Sequence, residues 1–120
     1  MRYLATITML ILALAMVQPV AAVTLRPIEF GKWDYNGGME AYKKKDYATA
    51  LKHFSATAVK GDARAQYSLG WMYHQGEGVT KNYKQALRWL RKAAEQGHVV
   101  AVQQIDRLEE QLRAEGNWPP

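Results

Sequence analysis

The residues that could carry chemistry are few and scattered. The histidines are His53, His74 and His98, and no His-Glu-x-x-His or other paired-ligand spacing joins them. A zinc site needs two such ligands on one face, so no metal site is expected. Ser55 and Ser68 sit in neither Gly-x-Ser-x-Gly nor Ser-x-x-Lys, so neither is marked as a nucleophile. A Ser/His/Asp grouping would have to be assembled by the fold, and nothing in the spacing points to one. Gly76-Glu77-Gly78 offers two glycines for a phosphate loop, but no strand precedes them and a turn between helices accounts for both. No cofactor is expected. What remains is binding through surface side chains, which depends on the elements that present them.

The first 22 residues read as a targeting segment. Arg2 supplies a positive start, Leu4 to Val17 is apolar apart from Thr6 and Thr8, Pro19 ends any helix, and Val20-Ala21-Ala22 offers small residues before a cut. The expectation is a secretory signal peptide cleaved after Ala22, with the product periplasmic or secreted and not stably inserted in a membrane. The alternative is an uncleaved anchor, although a span needs about 20 apolar residues. With no cysteine, the chain offers no lipid attachment there and no disulfide. Without Arg2 the 16 basic residues become 15, against 11 acidic, a net charge of +4. For an exported protein nucleic acid is a poor partner, and an anionic surface or an acidic protein face fits better.

The remaining chain carries a repeat. Gly61-Asp62-Ala63-Arg64-Ala65-Gln66 returns as Gly97-His98-Val99-Val100-Ala101-Val102, and Tyr47, Ala50, Leu51 and Phe54 return as Tyr83, Ala86, Leu87 and Leu90. A fixed period in the range of about 20–50 residues marks helical hairpins that must stack to bury their apolar faces. Spacings of three and four place five helices. The first starts near Trp33 and Asp34, the second runs to about Lys60, and Asp62 caps the third. Asn82 or Thr80 caps the fourth, and the fifth spans about His98 to Ala114. The expected organisation is signal peptide 1–22, extended lead-in 23–32, a first short-linked hairpin 33–60, a full repeat 61–96, a capping helix 97–115 and a tail 116–120. The fold class is all-α, a short solenoid in the order A-B, A-B, A. At the third copy Gly70 becomes Asp106 and Tyr73 becomes Glu109, which predicts a cap with its polar face to water. Trp89 is expected in the core. Trp118 is left either unfolded or folded back on the last helix.

Ala65-Leu69-Gly70-Tyr73, Gly76-Gly78-Val79, Ala86-Trp89 and Ala93-Ala94-Gly97 resemble the Sel-one-like repeat family, relatives of the tetratricopeptide repeats. Gly38-Ala41-Tyr42-Asp46-Tyr47-Ala50-Leu51-Phe54 resembles the shorter first hairpin often seen ahead of such repeats. Lys45 stands where that hairpin usually has glycine, and Leu90 where the repeat often has tyrosine. The resemblance implies a right-handed superhelix used for protein–protein contact or assembly, with secreted bacterial members common. Some cysteine-rich relatives act on β-lactams, and this cysteine-free chain departs from them.

In that superfamily the A helices line a concave groove. Aligning Gly38 with Gly70 puts Lys32, Tyr35, Met39 and Lys43 on the first groove face. It puts Arg64, Tyr67, Trp71 and His74 on the second, and Val100, Gln103, Arg107 and Gln111 on the third. The surface is aromatic at its centre and basic along its length, and tryptophan, tyrosine and arginine dominate interface energetics. For Tyr35, Tyr67 and Trp71, packing in the core is the competing expectation. The functional expectation is a non-enzymatic interaction module of the bacterial envelope that binds a protein, or an anionic envelope component, through this groove. The alternatives are an enzyme or small-molecule binder in cell-wall or β-lactam chemistry, and a membrane-tethered assembly factor.

Overall fold

The computed structural model describes residues 32–120. Among them are five α-helices and no strand: α1 Tyr35–Lys43, α2 Tyr47–Val59, α3 Ala63–Gln75, α4 Tyr83–Glu95 and α5 Val99–Ala114. The signal segment, its cleavage point and nearly all of the lead-in lie outside the described residues. No described helix is long and apolar enough to cross a membrane.

Every helix starts on a polar side chain that satisfies an otherwise orphaned N–H. Asp34 accepts from Gly37, Asp46 from Thr49, Asp62 from Arg64 and Ala65, and Asn82 from Gln85. Between Thr80 and Asn82, then, the cap is Asn82. His98 is itself a cap, its Nδ1 accepting from the Ala101 N–H at 3.2 Å, so α5 begins at Val99. Gly61 and Gly97 follow α2 and α4 with φ of 98° and 84°. A Cβ at either would meet nothing within 4 Å, so the left-handed backbone and not crowding calls for glycine there. Lys45 adopts φ 60° at the equivalent turn after α1. A side chain in that region costs about 1–2 kcal/mol, which is why glycine suits the position better.

Each helix packs chiefly on its neighbours in sequence, as stacked hairpins do. Ala41, Ala50, Phe54, Ala58, Ala65, Leu69 and Met72 form one buried cluster. Ala86, Leu87, Leu90, Ala93, Ala101, Leu108 and Leu112 form a second, and Tyr73 packs against both. The small residues decide how closely the helices cross. A Cβ on Gly70 would lie 2.9 Å from Leu90 Cγ and 3.1 Å from the Ala86 carbonyl oxygen, which as backbone cannot yield. α4 therefore rests directly on α3.

The C-terminal end departs from expectation at Glu109. Asp106 is exposed, but Glu109 is not simply turned to water. It accepts from Arg91 of α4 and from Arg113, both at 3.1 Å, and its side chain is 20% exposed. α5 still packs on α4, so a carboxylate at the edge of that seam meets the arginine α4 presents there. Trp118 packs against the second cluster, with the Arg113 guanidinium carbon 4.9 Å from its ring centroid, so the tail folds back. Trp89, expected in the core, is half-buried at the edge of the first cluster, and the Lys92 ammonium lies 4.7 Å from its ring centroid.

Candidate functional site

α1 and α3 are the A helices of the two hairpins, and Phe54 of α2 reaches the space between them. Tyr35, Met39 and Tyr42 from α1, Phe54 from α2, and Tyr67, Ser68 and Trp71 from α3 line an open cavity of about 220 Å³. Tyr35, Met39, Tyr67 and Trp71 are thus brought together, all of them half-buried. Each of the three aromatics is partly buried and also lines the cavity. Arg64 is exposed at the edge, its guanidinium carbon 4.4 Å from the Tyr35 ring centroid and its Nη2 2.8 Å from Asp62 Oδ2. His74 stands edge-on to Trp71 with ring centroids 5.7 Å apart. Lys32, Lys43, Gln103 and Arg107 are exposed and do not line the cavity, nor do Val100 and Gln111.

Three lining residues are absent from the groove rows read off the sequence. Tyr42 is seven residues past Tyr35 and three past Met39, the spacing of one helical face, so it was available from periodicity. Ser68 is four past Arg64 and three before Trp71 and follows from the same rule. Phe54 belongs to the buried stripe of α2, and only the crossing of α1 and α2 shows its edge to the cavity. That crossing is tight: a Cβ on Gly38 would come 2.6 Å from Phe54 Cε1.

Polar contacts tie the cavity to its surroundings. The Tyr42 hydroxyl donates to Glu77 Oε2 at 2.7 Å, which anchors the Gly76-Glu77-Gly78 turn across 35 residues of sequence. Burial pushes this phenol up to about 12, the Glu77 bond adds to the rise, and the Trp71 indole beside it works the other way. A loop whose carboxylate is engaged in this way is a poor phosphate cradle. Burial also raises the Tyr67 hydroxyl, against the pull of the Arg107 charge.

The histidines have structural partners. His53 Nδ1 meets the Asp34 backbone at the start of α1, and Trp33 stands edge-on to the ring at 4.8 Å. His98 caps α5 and stacks on Tyr67 at 4.9 Å. Among the described residues no group of His, Cys, Asp or Glu is arranged to hold a metal ion. His74 has a consequence for pH. Burial holds its imidazole below the usual histidine range, a contact with Gln111 partly offsets this, and the Lys81 charge lowers it further. The unfolded chain therefore takes up the proton first as pH falls. His74 contributes stability that is complete above about pH 6.5 and is lost as pH falls from there through the folded value. Melting followed from about pH 7.5 to 5 should show the transition temperature of a His74→Gln variant falling less than that of the native chain. Equal slopes would remove His74 from the acid sensitivity.

Models of the Sel1 repeat match residues 35–62 and 63–98, together more than half of the chain. This chain belongs to the Sel1 repeat family. The two matches are the hairpins α1–α2 and α3–α4, so the short-linked first hairpin is a Sel1 repeat in its own right, and α5 lies beyond both. Chitin synthase regulatory factor 3 of Schizosaccharomyces pombe is 40% identical over 77 residues, 64% of this chain and 8% of that protein. The secretory immunoglobulin A-binding protein EsiB of Escherichia coli is 45% identical over 43 residues, 36% of this chain and 9% of that protein. This chain spans less than a tenth of either relative. The crystal structure of a Sel1 repeat protein from Oxalobacter formigenes superposes with a TM-score of 0.51 at 26% identity, over 65% of this chain and 47% of that one. Sel1 repeat proteins bind protein partners and are in general scaffolds and not enzymes.

Proposed function

We propose that this Sel1 repeat chain is a non-enzymatic adaptor of the bacterial cell envelope, exported by its first 22 residues, that holds a protein partner on the face formed by α1 and α3. The observation that carries this reading is the open aromatic cavity between two A helices. Tyr35, Tyr67 and Trp71 keep accessible faces beside Phe54, which is buried. Large rigid side chains around a partly desolvated cup are what hot-spot recognition uses. The name of the immunoglobulin-binding relative is in keeping with recognition of a protein by a related array.

Site-specific photocrosslinking in the exported protein tests it. A crosslinking residue in place of Met39 or Arg107 should trap a protein partner, and one in place of Arg88 on the outer face of α4 should not. Adducts from Arg88 alone would overturn the groove. Mass spectrometry of the same material tests export: a chain starting at Val23 supports it, and one retaining Met1 overturns it.

A further inference from the structure

The outer face of α4 carries a charge pattern that folding does not call for. Lys84, Gln85, Arg88, Arg91, Lys92 and Glu95 line one shallow hollow on it, and none of them lines the aromatic cavity. All but Gln85 are exposed. Carboxylates are present at one end only: Glu95 closes the helix, and Glu109 of α5 is shared by Arg91 and Arg113. Lys84, Arg88 and Lys92 form no ion pair among the described residues. Placed at every fourth position, they make a straight cationic row about 12 Å long at 1.5 Å per residue.

This row works against the helix that carries it. Like charges four residues apart repel, and both Lys84 with Arg88 and Arg88 with Lys92 are such pairs. Lys84 is the second residue of α4, where the helix dipole favours an anion, and the first turn holds no acidic residue. Nor does the hairpin require the row, since 36 residues earlier α2 has Ala48, Lys52 and Ala56 at the same positions. Solubility is served as well by interspersed signs. An anionic partner would relieve the repulsion.

The rest of α4 narrows the kind of partner. Its apolar residues Ala86, Leu87, Leu90 and Ala93 are buried where it packs on α3 and α5. It therefore offers charge to a surface and no apolar stripe to insert. Trp89 is half-buried beside the row, with the Lys92 ammonium 4.7 Å from its ring centroid, and such a ring suits a boundary between apolar and wet surroundings. A cluster of about four lysines and arginines on one face of an amphipathic helix is the pattern that meets anionic lipid headgroups.

We propose that α4 rests on the headgroups of an anionic lipid bilayer, with Lys84, Arg88 and Lys92 making the contact. The binding is peripheral, electrostatic and reversible. It uses none of the residues that line the cavity, so a protein held by α1 and α3 would be held at a membrane surface. A crosslinking residue at Arg88 would then meet lipid, in keeping with the protein adduct it is expected to lack.

Cosedimentation of the native chain with lipid vesicles tests this. Vesicles with about one-third phosphatidylglycerol in phosphatidylcholine should bind it at least about tenfold better than phosphatidylcholine alone, and salt should erode the difference. A cation near such a surface is worth about fivefold in partitioning, so reversing one charge should weaken binding about tenfold to thirtyfold. Arg88→Glu and Lys84→Glu are the variants. Both should melt no lower than the native chain, because Arg88→Glu turns two repulsions into attractions and Lys84→Glu suits the start of a helix. Weaker binding with stability kept or raised is a result that a merely structural role would not give. Equal binding to neutral vesicles, or undiminished binding by both variants, would overturn the proposal. A lower melting temperature in both would show that the row serves the fold, and would overturn it too. So would retention by single-stranded RNA or polyglutamate but not by the vesicles, which would give the row to another polyanion. Crosslinking at Met39 is a separate readout: its failure removes the groove and leaves the lipid contact standing, and failure of the vesicles does the reverse.

Discussion

Replacing Phe54 by alanine should destabilise the domain by about 3–5 kcal/mol, the usual range for truncating a buried phenylalanine. Phe54 is 1% exposed and is among the largest fully buried side chains. Its ring sits on Gly38 where α1 crosses α2, lies 5.7 Å from the Tyr35 ring, and closes one wall of the cavity. The hole left behind would merge with space already open, and the helices could not collapse into it without breaking the α1–α2 contact. In a domain of this size each kcal/mol shifts the melting temperature by roughly 4–8 °C. A loss of about 15 °C or more by circular dichroism is therefore expected, and loss of a cooperative transition agrees with it. A fall under about 5 °C would mean that the first hairpin is held together by something other than this crossing.

Replacing Trp71 by alanine should do the opposite. Trp71 is half-buried and belongs to neither buried cluster; it touches His74 and Tyr42 and otherwise faces the cavity. Affinity for the partner trapped at Met39 should fall at least about tenfold, as expected for an aromatic anchor. The melting temperature should fall by less than about 10 °C. A larger fall with unchanged affinity would make Trp71 a packing residue and sink the groove. Together the two variants separate the functions of the cavity wall: Phe54 holds the helices apart at a fixed distance, and Trp71 meets what enters between them.

Much of this architecture is written in short-range features. Asp34, Asp46, Asp62 and Asn82 cap because a side-chain oxygen reaches an N–H two or three residues on, whatever the rest of the chain does. The 36-residue return of Gly61 at Gly97 marks a left-handed turn that any reader of the backbone could place. The same holds for the inward stripes, since spacings of three and four are a property of one helix. The groove rows were legible to that extent: Tyr35, Met39, Tyr67 and Trp71 share faces that periodicity identifies, and Tyr42 and Ser68 obey the same rule.

What the sequence determined by itself was therefore the family and the five helices, with Asp62 as a cap and Asn82 as one of two candidates for another. The tertiary structure alone decided which side chains share a space. Glu77 meets Tyr42 across 35 residues, and Glu109, expected in water, is held by Arg91 of the preceding helix. Trp118, undetermined from the chain, covers the last helix, and the α5 row from Val100 to Gln111 does not line the cavity that α1 and α3 form. The physical reason is the same in each case. A helix's own periodicity sets the direction of a side chain about the axis, but distances between helices depend on the volumes that meet at the crossings. Here Leu90 against Gly70 sets the spacing of α3 and α4, and Phe54 against Gly38 sets that of α1 and α2 and with it one wall of the cavity.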